Sequence, residues 1–328
     1  MSTLSPDAFA GKAVMVTGGC GFIGSHLVRR LYALGAARVV VLDSLGSGTR
    51  ENLGDTLADV ELVPISFGID VKNRIEPPLV GIDYLFHFAA ETRVSTLSRT
   101  NQVLRSHVDG THGLFELAAK AGVQRVVYAS SFYAYGPRTG GPYVEDDVPA
   151  PNTLYGITKL TGEHLLAQVC AAGMQFTSLR YASVYGPRQS PHSLYCPLIA
   201  HSFDSLLADP GSSVPGSSGT GAQPTTTGVD CEDYVYVDDA VDAAVRAMLS
   251  PASGRLFNIS SGIAHSDRQL LDTIASVSDS PSFPDNQSTS NVLPYSLSDN
   301  SAARRELGWA PQVPLEDGLR RCWEHRKL

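Results

Sequence analysis

A tyrosine, a lysine four residues after it and a serine upstream have the types and spacing needed for acid–base chemistry. Tyr155 and Lys159 lie near the start of a predicted helix that follows Pro149 and Pro151. A spacing of four places both side chains on one helical face. A phenol, with an ordinary pKa of about 10, is a poor base until a nearby cation stabilises its phenolate. Because Ser130 and Ser131 lie at the end of a predicted buried strand, a hydroxyl there can share a reacting oxygen with Tyr155. We therefore predict Tyr155, Lys159 and one of these two serines as catalytic residues.

A glycine triplet indicates a phosphate-binding turn. The triplet follows the apolar strand Ala13–Thr17 and opens a helix. Missing side chains let the backbone approach a pyrophosphate, which then lies on the unpaired N–H groups of the helix N-terminus. The residues expected to contact it are Gly18, Gly21, Phe22, Ile23 and Gly24.

Acidic residues after the next two strands extend this prediction to a dinucleotide. Asp43 ends the second strand, where a carboxylate accepts hydrogen bonds from both ribose hydroxyls and repels a 2′-phosphate. The sequence therefore favours NAD over NADP. Asp70, after the third strand, is either an adenine contact or a plain surface aspartate. Ala89, the last residue of the fourth predicted strand, is also assigned to the cofactor site.

Alternating apolar runs and amphipathic stretches predict the architecture that positions these residues. Short apolar runs with almost no charge are typical of strands buried on both faces of a parallel sheet. They are Ala13–Thr17, Ala37–Asp43, Val60–Ile65, Tyr84–Ala89, Arg125–Ser130, Phe176–Tyr181, Asp233–Val237 and Leu256–Ile259. Helical patterns cover Gly21–Leu34, Leu104–Ala121, Pro151–Ala172, Asp238–Ser250, Asp267–Ser278 and Leu315–Lys327. The fold class is therefore α/β, a Rossmann-type doubly wound parallel sheet with a smaller C-terminal α/β substrate-binding lobe.

The domain boundary is expected where the simple βα rhythm stops, near Tyr181–Gly186. Residues 1–181 would form the NAD-binding domain with the catalytic residues, and 182–328 mainly the substrate-binding lobe. Some segments of the second part are expected to return to the first. The segment Gly211–Gly228 has almost no large apolar residue and is predicted to be a loop, in a position where it can act as a lid.

Several motifs together resemble the extended short-chain dehydrogenases/reductases, in particular the nucleotide-sugar epimerase/dehydratase family. They include TGGCGFIGSHL (17–27), AYG (134–136), LYGITKLTGEHL (154–165) and ELGWAPQVPLEDGLR (306–320). The resemblance implies that Ser131 is the catalytic hydroxyl, Tyr155 the acid/base and Lys159 its helper. It also implies a tightly held NAD that is reduced and reoxidised within one turnover, and a homodimer with a four-helix interface.

The positions after Ser131 bear on the reaction. Family members that eliminate water place Asp-Glu directly after the catalytic hydroxyl, whereas this chain has Phe132 and Tyr133. Epimerisation at the oxidised carbon is therefore expected, with simple dehydrogenation or reduction as the alternative. Tyr133 is either a second acid/base or a ring that packs against the substrate. His192 is a further candidate near the substrate, as is Cys196.

The substrate side departs from the family pattern. Ser183 stands where relatives have asparagine, Glu232 and Thr289 where they have diphosphate-binding arginines, and His107 where they have another asparagine. Two hypotheses follow. The resemblance implies that the substrate is a sugar nucleotide, with its phosphates bound by other arginines; the alternative is an uncharged or differently charged polyol, sugar or nucleoside-like intermediate. The arginines available are Arg188, Arg255 and Arg268. A dinucleotide sensor without catalysis is disfavoured, because a sensor has no need of the catalytic residues.

Composition excludes several other classes of function. The formal net charge of the 328 residues is −8, so no overall positive field draws nucleic acid or an anionic membrane. No stretch approaches the ~20 apolar residues that span a bilayer, and the first residues lack a secretory signal pattern. Five cysteines without a CxxC pair favour neither a disulfide framework nor a metal site. We expect a cytoplasmic enzyme that acts on a small molecule.

Overall fold

The computed structural model describes most of the chain. The described residues are 4–67, 71–91, 100–138, 140–171, 173–190, 197–208, 231–281 and 296–328. Asp70, His192, Cys196, Thr289 and the segment Gly211–Gly228 lie outside the described residues.

A parallel sheet of seven strands forms the centre of the protein. Its strand order is β3-β2-β1-β4-β5-β6-β9, and every neighbouring pair is parallel. These strands are rich in Val, Leu and Ile, whose side chains suit a sheet covered on both faces. The strands are β1 Ala13–Thr17, β2 Arg38–Asp43, β3 Glu61–Pro64, β4 Tyr84–His87, β5 Arg125–Ser131, β6 Gln175–Tyr181 and β9 Arg255–Ile259.

A second, three-stranded sheet has the order β10-β8-β7. Strand β8 runs parallel to β7 and antiparallel to β10. The strands are β7 Ser183–Tyr185, β8 Cys231–Tyr236 and β10 Ala264–Ser266. Only Ala182 separates β6 of the large sheet from β7 of the small one. The chain therefore passes from one sheet to the other directly beside the carboxyl edge of the large sheet.

Helices cover both faces of the large sheet. Helices α1 and α7 pack together on one face, and α4 and α5 on the other, each against its own apolar core. The helices are α1 Phe22–Ala33, α2 Val71–Leu79, α3 Thr100–Leu104, α4 Thr111–Lys120, α5 Leu154–Cys170, α6 Pro197–Ala208, α7 Val237–Leu249, α8 Asp267–Val277, α9 Ser301–Glu306 and α10 Leu315–Arg326. Short 3₁₀ segments lie at Arg50–Asp59 and Phe132–Ala134.

The predicted fold class is confirmed, and the differences are local. The stretch predicted as one helix over Leu104–Ala121 is α3, a π-helical segment Arg105–Gly110 and then α4. Strand β9 joins the large sheet from the C-terminal half of the chain, whereas the division at residue 181 stays a prediction. Within the part of the chain that is described, every helix is too short or too polar to cross a bilayer.

Candidate active site

A cavity of about 380 Å³ opens at the carboxyl edge of the large sheet. Residues at or just after the ends of β1, β2, β4, β5 and β6 line it. The strand order reverses direction between β1 and β4, and this switch point is where open α/β sheets bind ligands. The fold therefore brings the predicted cofactor and catalytic residues to one place.

Glycines at the end of β1 leave no room for side chains. Gly18 has φ +71°, and a Cβ there would lie 2.9 Å from the Cα of Ala89. A Cβ on Gly24 would lie 2.0 Å from the Gly18 carbonyl oxygen. Gly21, at the N-cap of α1, has no side chain to cap the first N–H groups. Backbone donors at the start of a twelve-residue helix are thus available to an anion. Phe22 and Ile23 line the cavity beside them.

Asp43, at the end of β2, is held by the backbone. Its Oδ2 accepts a hydrogen bond from the N–H of Cys20 at 2.9 Å, and its Oδ1 accepts one from the N–H of Leu45 at 2.8 Å. Burial raises the pKa of Asp43, and these backbone donors lower it. Each carboxylate oxygen keeps a further lone pair for a ligand, and Asp43 lines the cavity.

Ser131, Tyr155 and Lys159 meet on the opposite side of the cavity. The Ser131 side chain hydrogen-bonds to Tyr155, and Lys159 Nζ lies 5.6 Å from the centroid of the Tyr155 ring. Burial raises the pKa of Tyr155, and the hydrogen bond from Ser131 lowers it. The three groups predicted from sequence are therefore brought together in the structure.

Local structure fixes the positions of these three side chains. Helix α5 begins at Leu154, and its N-cap Thr153 accepts a hydrogen bond from the N–H of Gly156 at 3.1 Å. Tyr155 therefore lies in the first turn, next to the end of β5. Lys159 Nζ donates to the carbonyl oxygen of Ala129 at 2.6 Å, and burial lowers the pKa of Lys159 to about 7.

A buried ion pair behind the catalytic residues was missed by the sequence analysis. Arg180 donates from Nε and Nη2 to the carboxylate of Glu163, at 2.9 and 2.7 Å. Ser130 Oγ donates to the same carboxylate. Glu163 lies one turn after Lys159 on α5, and its charge raises the pKa of Lys159 against the effect of burial. Only its spacing of four from Lys159 could have indicated this role.

His107, which the sequence analysis noted as a departure, lies in the π-helical segment and contacts the site indirectly. Its Nε2 accepts a hydrogen bond from the N–H of Glu91 at 2.7 Å. Its Nδ1 therefore carries the proton and donates to Thr158 Oγ1 at 2.9 Å. Thr158 Oγ1 in turn donates to the carbonyl oxygen of Tyr155 at 2.9 Å. Burial and the charge of Lys159 lower the pKa of His107 to about 3, so the ring is neutral.

The predicted substrate residues are only partly brought together. Tyr133 lines the cavity, with its ring centroid 6.0 Å from that of Tyr155. Ser183 also lines it, and its Oγ donates to the buried carboxylate of Glu232. Arg188 has φ +67° and is not one of the described residues that line the cavity.

Other polar side chains line the cavity without having been predicted. They are Ser44, Ser47, Ser66, Glu91, Gln102, Ser106 and Gln189. Most lie in loops or at helix ends, where neither periodicity nor a motif marks them. For Gln189 the sequence carried only a weak signal, which is its position directly after the candidate residue Arg188.

Comparison with known proteins adds to this geometry. The model of the NAD dependent epimerase/dehydratase family matches residues 14–260. The chain belongs to this family. It is 34% identical over 320 residues to the UDP-glucose 4-epimerase of Mycolicibacterium smegmatis, which covers 94% of this chain and 97% of the relative. It is 30% identical over 323 residues to a dTDP-glucose 4,6-dehydratase of Streptomyces griseus, covering 95% of this chain and 94% of the relative.

Solved structures of family members give the same result for the fold. A UDP-glucose 4-epimerase with UDP-glucose from Thermotoga maritima has a TM-score of 0.82 and 31% identity. The match covers 96% of this chain and 98% of that one. Members of the epimerase/dehydratase family depend on NAD, and this chain is such an enzyme. Since the relatives catalyse more than one reaction, membership alone leaves the reaction open.

Proposed function

We propose that this protein is an epimerase that inverts a carbinol carbon of a sugar by transient oxidation to a ketone. The supporting observation is the hydrogen-bonded Ser131–Tyr155 pair beside Lys159, in a cavity shared with the glycine turn. A substrate hydroxyl group placed between that pair and a cofactor on the glycine turn would lie beside a proton acceptor, and its carbon would lie beside an electron acceptor.

Tyr155 accepts the proton of the substrate hydroxyl and later returns it. Its phenolate takes the proton of the substrate hydroxyl as the carbon is oxidised, and the phenol returns it when the carbon is reduced. The Ser131 hydroxyl donates its one proton to the Tyr155 oxygen and keeps lone pairs that accept from the substrate hydroxyl, which holds the substrate near Tyr155. The Lys159 ammonium, held by the Ala129 carbonyl group, stabilises the phenolate by its charge. This interaction is strong because the buried site holds little water to screen it. The three residues thus move one proton forward and back.

The cofactor site fits NAD. The Gly18 and Gly24 positions, where a Cβ would collide with backbone, allow the close approach that a pyrophosphate needs. Asp43 would accept hydrogen bonds from a ribose and would repel a 2′-phosphate. NAD bound here would supply a hydride acceptor for the substrate carbon and, once reduced, the hydride donor. We assign Gly18, Gly21, Phe22, Ile23, Gly24, Asp43, Ala89, Tyr155 and Lys159 to its binding.

Epimerisation is favoured over elimination because of the residues beside Ser131. Loss of water next to a ketone needs one group to remove a proton and another to protonate the departing hydroxyl. The positions after Ser131 are occupied by Phe132 and Tyr133, whose rings lie 4.4 Å apart between centroids. Among the described residues that line the cavity, the carboxylates are Asp43 and Glu91. Asp43 lies at the end of β2, on the cofactor side, and Glu91 follows β4. Neither carboxylate therefore occupies a position directly after Ser131.

Product analysis tests this proposal. We expect the holoenzyme, incubated with a panel of hexoses and hexose derivatives, to convert one of them to its epimer without net reduction of the cofactor. NMR spectroscopy identifies the product, and near-ultraviolet absorbance follows the reduced cofactor. Accumulation of reduced cofactor in proportion to product would instead indicate a dehydrogenase, and loss of water a dehydratase. The homodimer and the cytoplasmic location stay predictions.

A further inference from the structure

Two long stretches in the C-terminal half of the sequence carry no positive charge. The sequence holds no lysine or arginine between Gln189 and Val245, nor between Gln269 and Ala303. The three arginines between these ranges are paired: Arg246 with Asp242 at 2.5 Å, Arg255 with Glu306 at 2.6 Å and Arg268 with Asp272 at 2.8 Å.

The cavity itself has the same character. Lys159 is the one lysine or arginine among the described residues that line it, and it already donates to Ala129 beside Tyr155. Arg93 and Arg99 lie outside the described residues. The side of the cavity formed by β7, described here by Ser183 and Val184, therefore offers no cation to a ligand.

A buried carboxylate stands behind this side of the cavity. Glu232 in β8 is 4% exposed, and its carboxylate accepts hydrogen bonds from Ser183 Oγ and the side chain of Tyr234. His265 is paired with it across the β8–β10 ladder, and burial lowers the pKa of His265. The neighbouring strands β7 and β10 contain no lysine or arginine to offset the charge of Glu232.

This pair of side chains presents acceptors rather than donors. A serine hydroxyl has one proton, and Ser183 uses it for Glu232. What Ser183 then offers to a ligand is an oxygen with free lone pairs. A hydroxyl or ammonium group complements that oxygen, whereas a phosphate oxygen, which has no proton at neutral pH, does not.

We propose that the substrate is a sugar or cyclitol without a nucleoside diphosphate, and that Ser183, oriented by Glu232, accepts a hydrogen bond from one of its hydroxyl or ammonium groups. The proposal rests on the function proposed above and names its substrate class. A pyrophosphate leaves water where a helix N-terminus or charged donors replace its hydration, as the glycine turn does for the cofactor, and the described residues on the β7 side include no charged donor. The solved relative from Thermotoga maritima contains UDP-glucose, so this substrate class separates the present chain from that relative.

A binding experiment tests the substrate class without using turnover. The holoenzyme is titrated with UDP, UDP-glucose, dTDP-glucose, glucose, glucosamine and myo-inositol, and native mass spectrometry and calorimetry report retained ligand. We expect glucose, glucosamine or myo-inositol to bind, and each nucleotide to bind with a Kd above about 1 mM. A Kd below about 100 µM for any of the nucleotides would overturn the proposal. So would the absence of binding by all three unphosphorylated compounds at about 10 mM.

Variants of the acceptor pair test its role. Glu232→Gln keeps the shape but removes the charge, and we expect the sugar or cyclitol to bind about tenfold more weakly. Ser183→Ala, which removes only the hydroxyl, should have a similar effect and serves if Glu232→Gln is unstable. Glu316→Gln on the exposed face of α10 is the matched control and should leave binding unchanged. Equal affinities in wild type and both pair variants would overturn the assignment.

The same titrations, run on the wild type and on Tyr155→Phe, separate this proposal from the proposed function. If the wild type binds an unphosphorylated compound but does not turn it over, epimerisation is contradicted and the substrate class is supported. If the wild type turns over a nucleotide sugar, epimerisation is supported and the substrate class is contradicted.

Discussion

Tyr155 is the residue on which the proposed proton transfer depends. Its ring packs against His107 and Tyr133, with centroids 6.1 and 6.0 Å away, so Tyr155→Phe preserves the packing and removes only the hydroxyl. We expect kcat to fall by about two to four orders of magnitude, with NAD retention unchanged. Steady-state kinetics and cofactor content measure the two effects.

A second tyrosine provides the control for this substitution. Tyr143 donates from its hydroxyl to the carbonyl oxygen of Gly136 at 2.7 Å and is not among the described lining residues. Tyr143→Phe should therefore cost about 1 kcal/mol of stability and leave kcat unchanged. Equal kcat values for Tyr155→Phe and wild type would remove Tyr155 from the mechanism.

The shifted pKa of Lys159 predicts how the stability of the cofactor-free protein depends on pH. Burial lowers the pKa of Lys159 from 10.5 to about 7 in the folded state. Between these values the unfolded chain binds more protons than the folded protein, so the free energy of unfolding rises with pH. Below pH of about 7 both states are protonated, and the cost of the buried ammonium is fully present. The slope reaches at most about 1.4 kcal/mol per pH unit.

Urea unfolding of wild type and Lys159→Met across this pH range tests the assignment. The stability of wild type relative to Lys159→Met should rise between pH of about 7 and 10, because the variant has no buried ammonium to deprotonate. Lys120→Met, an exposed position at the end of α4, should follow the wild-type profile. Parallel curves for wild type and Lys159→Met would show that Lys159 keeps an ordinary pKa.

Among the structural elements, the π-helical segment Arg105–Gly110 joins the cofactor side of the cavity to α5. His107 contacts Glu91 after β4 and Thr158 on α5. His107→Phe removes both bonds and leaves Thr158 and the Glu91 N–H with fewer partners. We expect the free energy of unfolding to fall by about 1–3 kcal/mol in urea titrations.

The neighbouring His112 distinguishes a specific role from a general intolerance of the segment. Its side chain is 38% exposed and faces Glu116 on α4. His112→Phe should change the stability by less than about 0.5 kcal/mol. A loss of stability in His112→Phe as large as that in His107→Phe would contradict the bridging role of His107.

Elements with a strong local signal could be predicted from the sequence. Strand β1 has the predicted bounds, because an uninterrupted apolar run ends at a glycine turn. The spacing of Tyr155 and Lys159 carried enough information to place them on one face of α5. Contacts between distant parts of the chain carried no such signal. The bond from His107 to Thr158 spans 51 residues, and the one from Ser183 to Glu232 spans 49.

At the scale of the whole molecule, two sheets meet at one cavity. The large sheet supplies the glycine turn, Asp43 and Ser131, helix α5 supplies Tyr155 and Lys159, and β7 of the small sheet supplies Ser183. The chain crosses between the sheets at Ala182, and residues of both sheets line the same cavity. Reaction and substrate selection are therefore expected to depend on different elements and to be separable by mutation.

The fate of the hydrogen on the reacting carbon tests the central claim most directly. A sugar or cyclitol that the holoenzyme binds is labelled with deuterium at its carbinol carbons and incubated with the protein in ordinary water, and the product is analysed by NMR spectroscopy. Transient oxidation predicts an inverted carbon that keeps its deuterium, with no such product from Tyr155→Phe. An inverted carbon that has exchanged its deuterium for solvent hydrogen would contradict the mechanism.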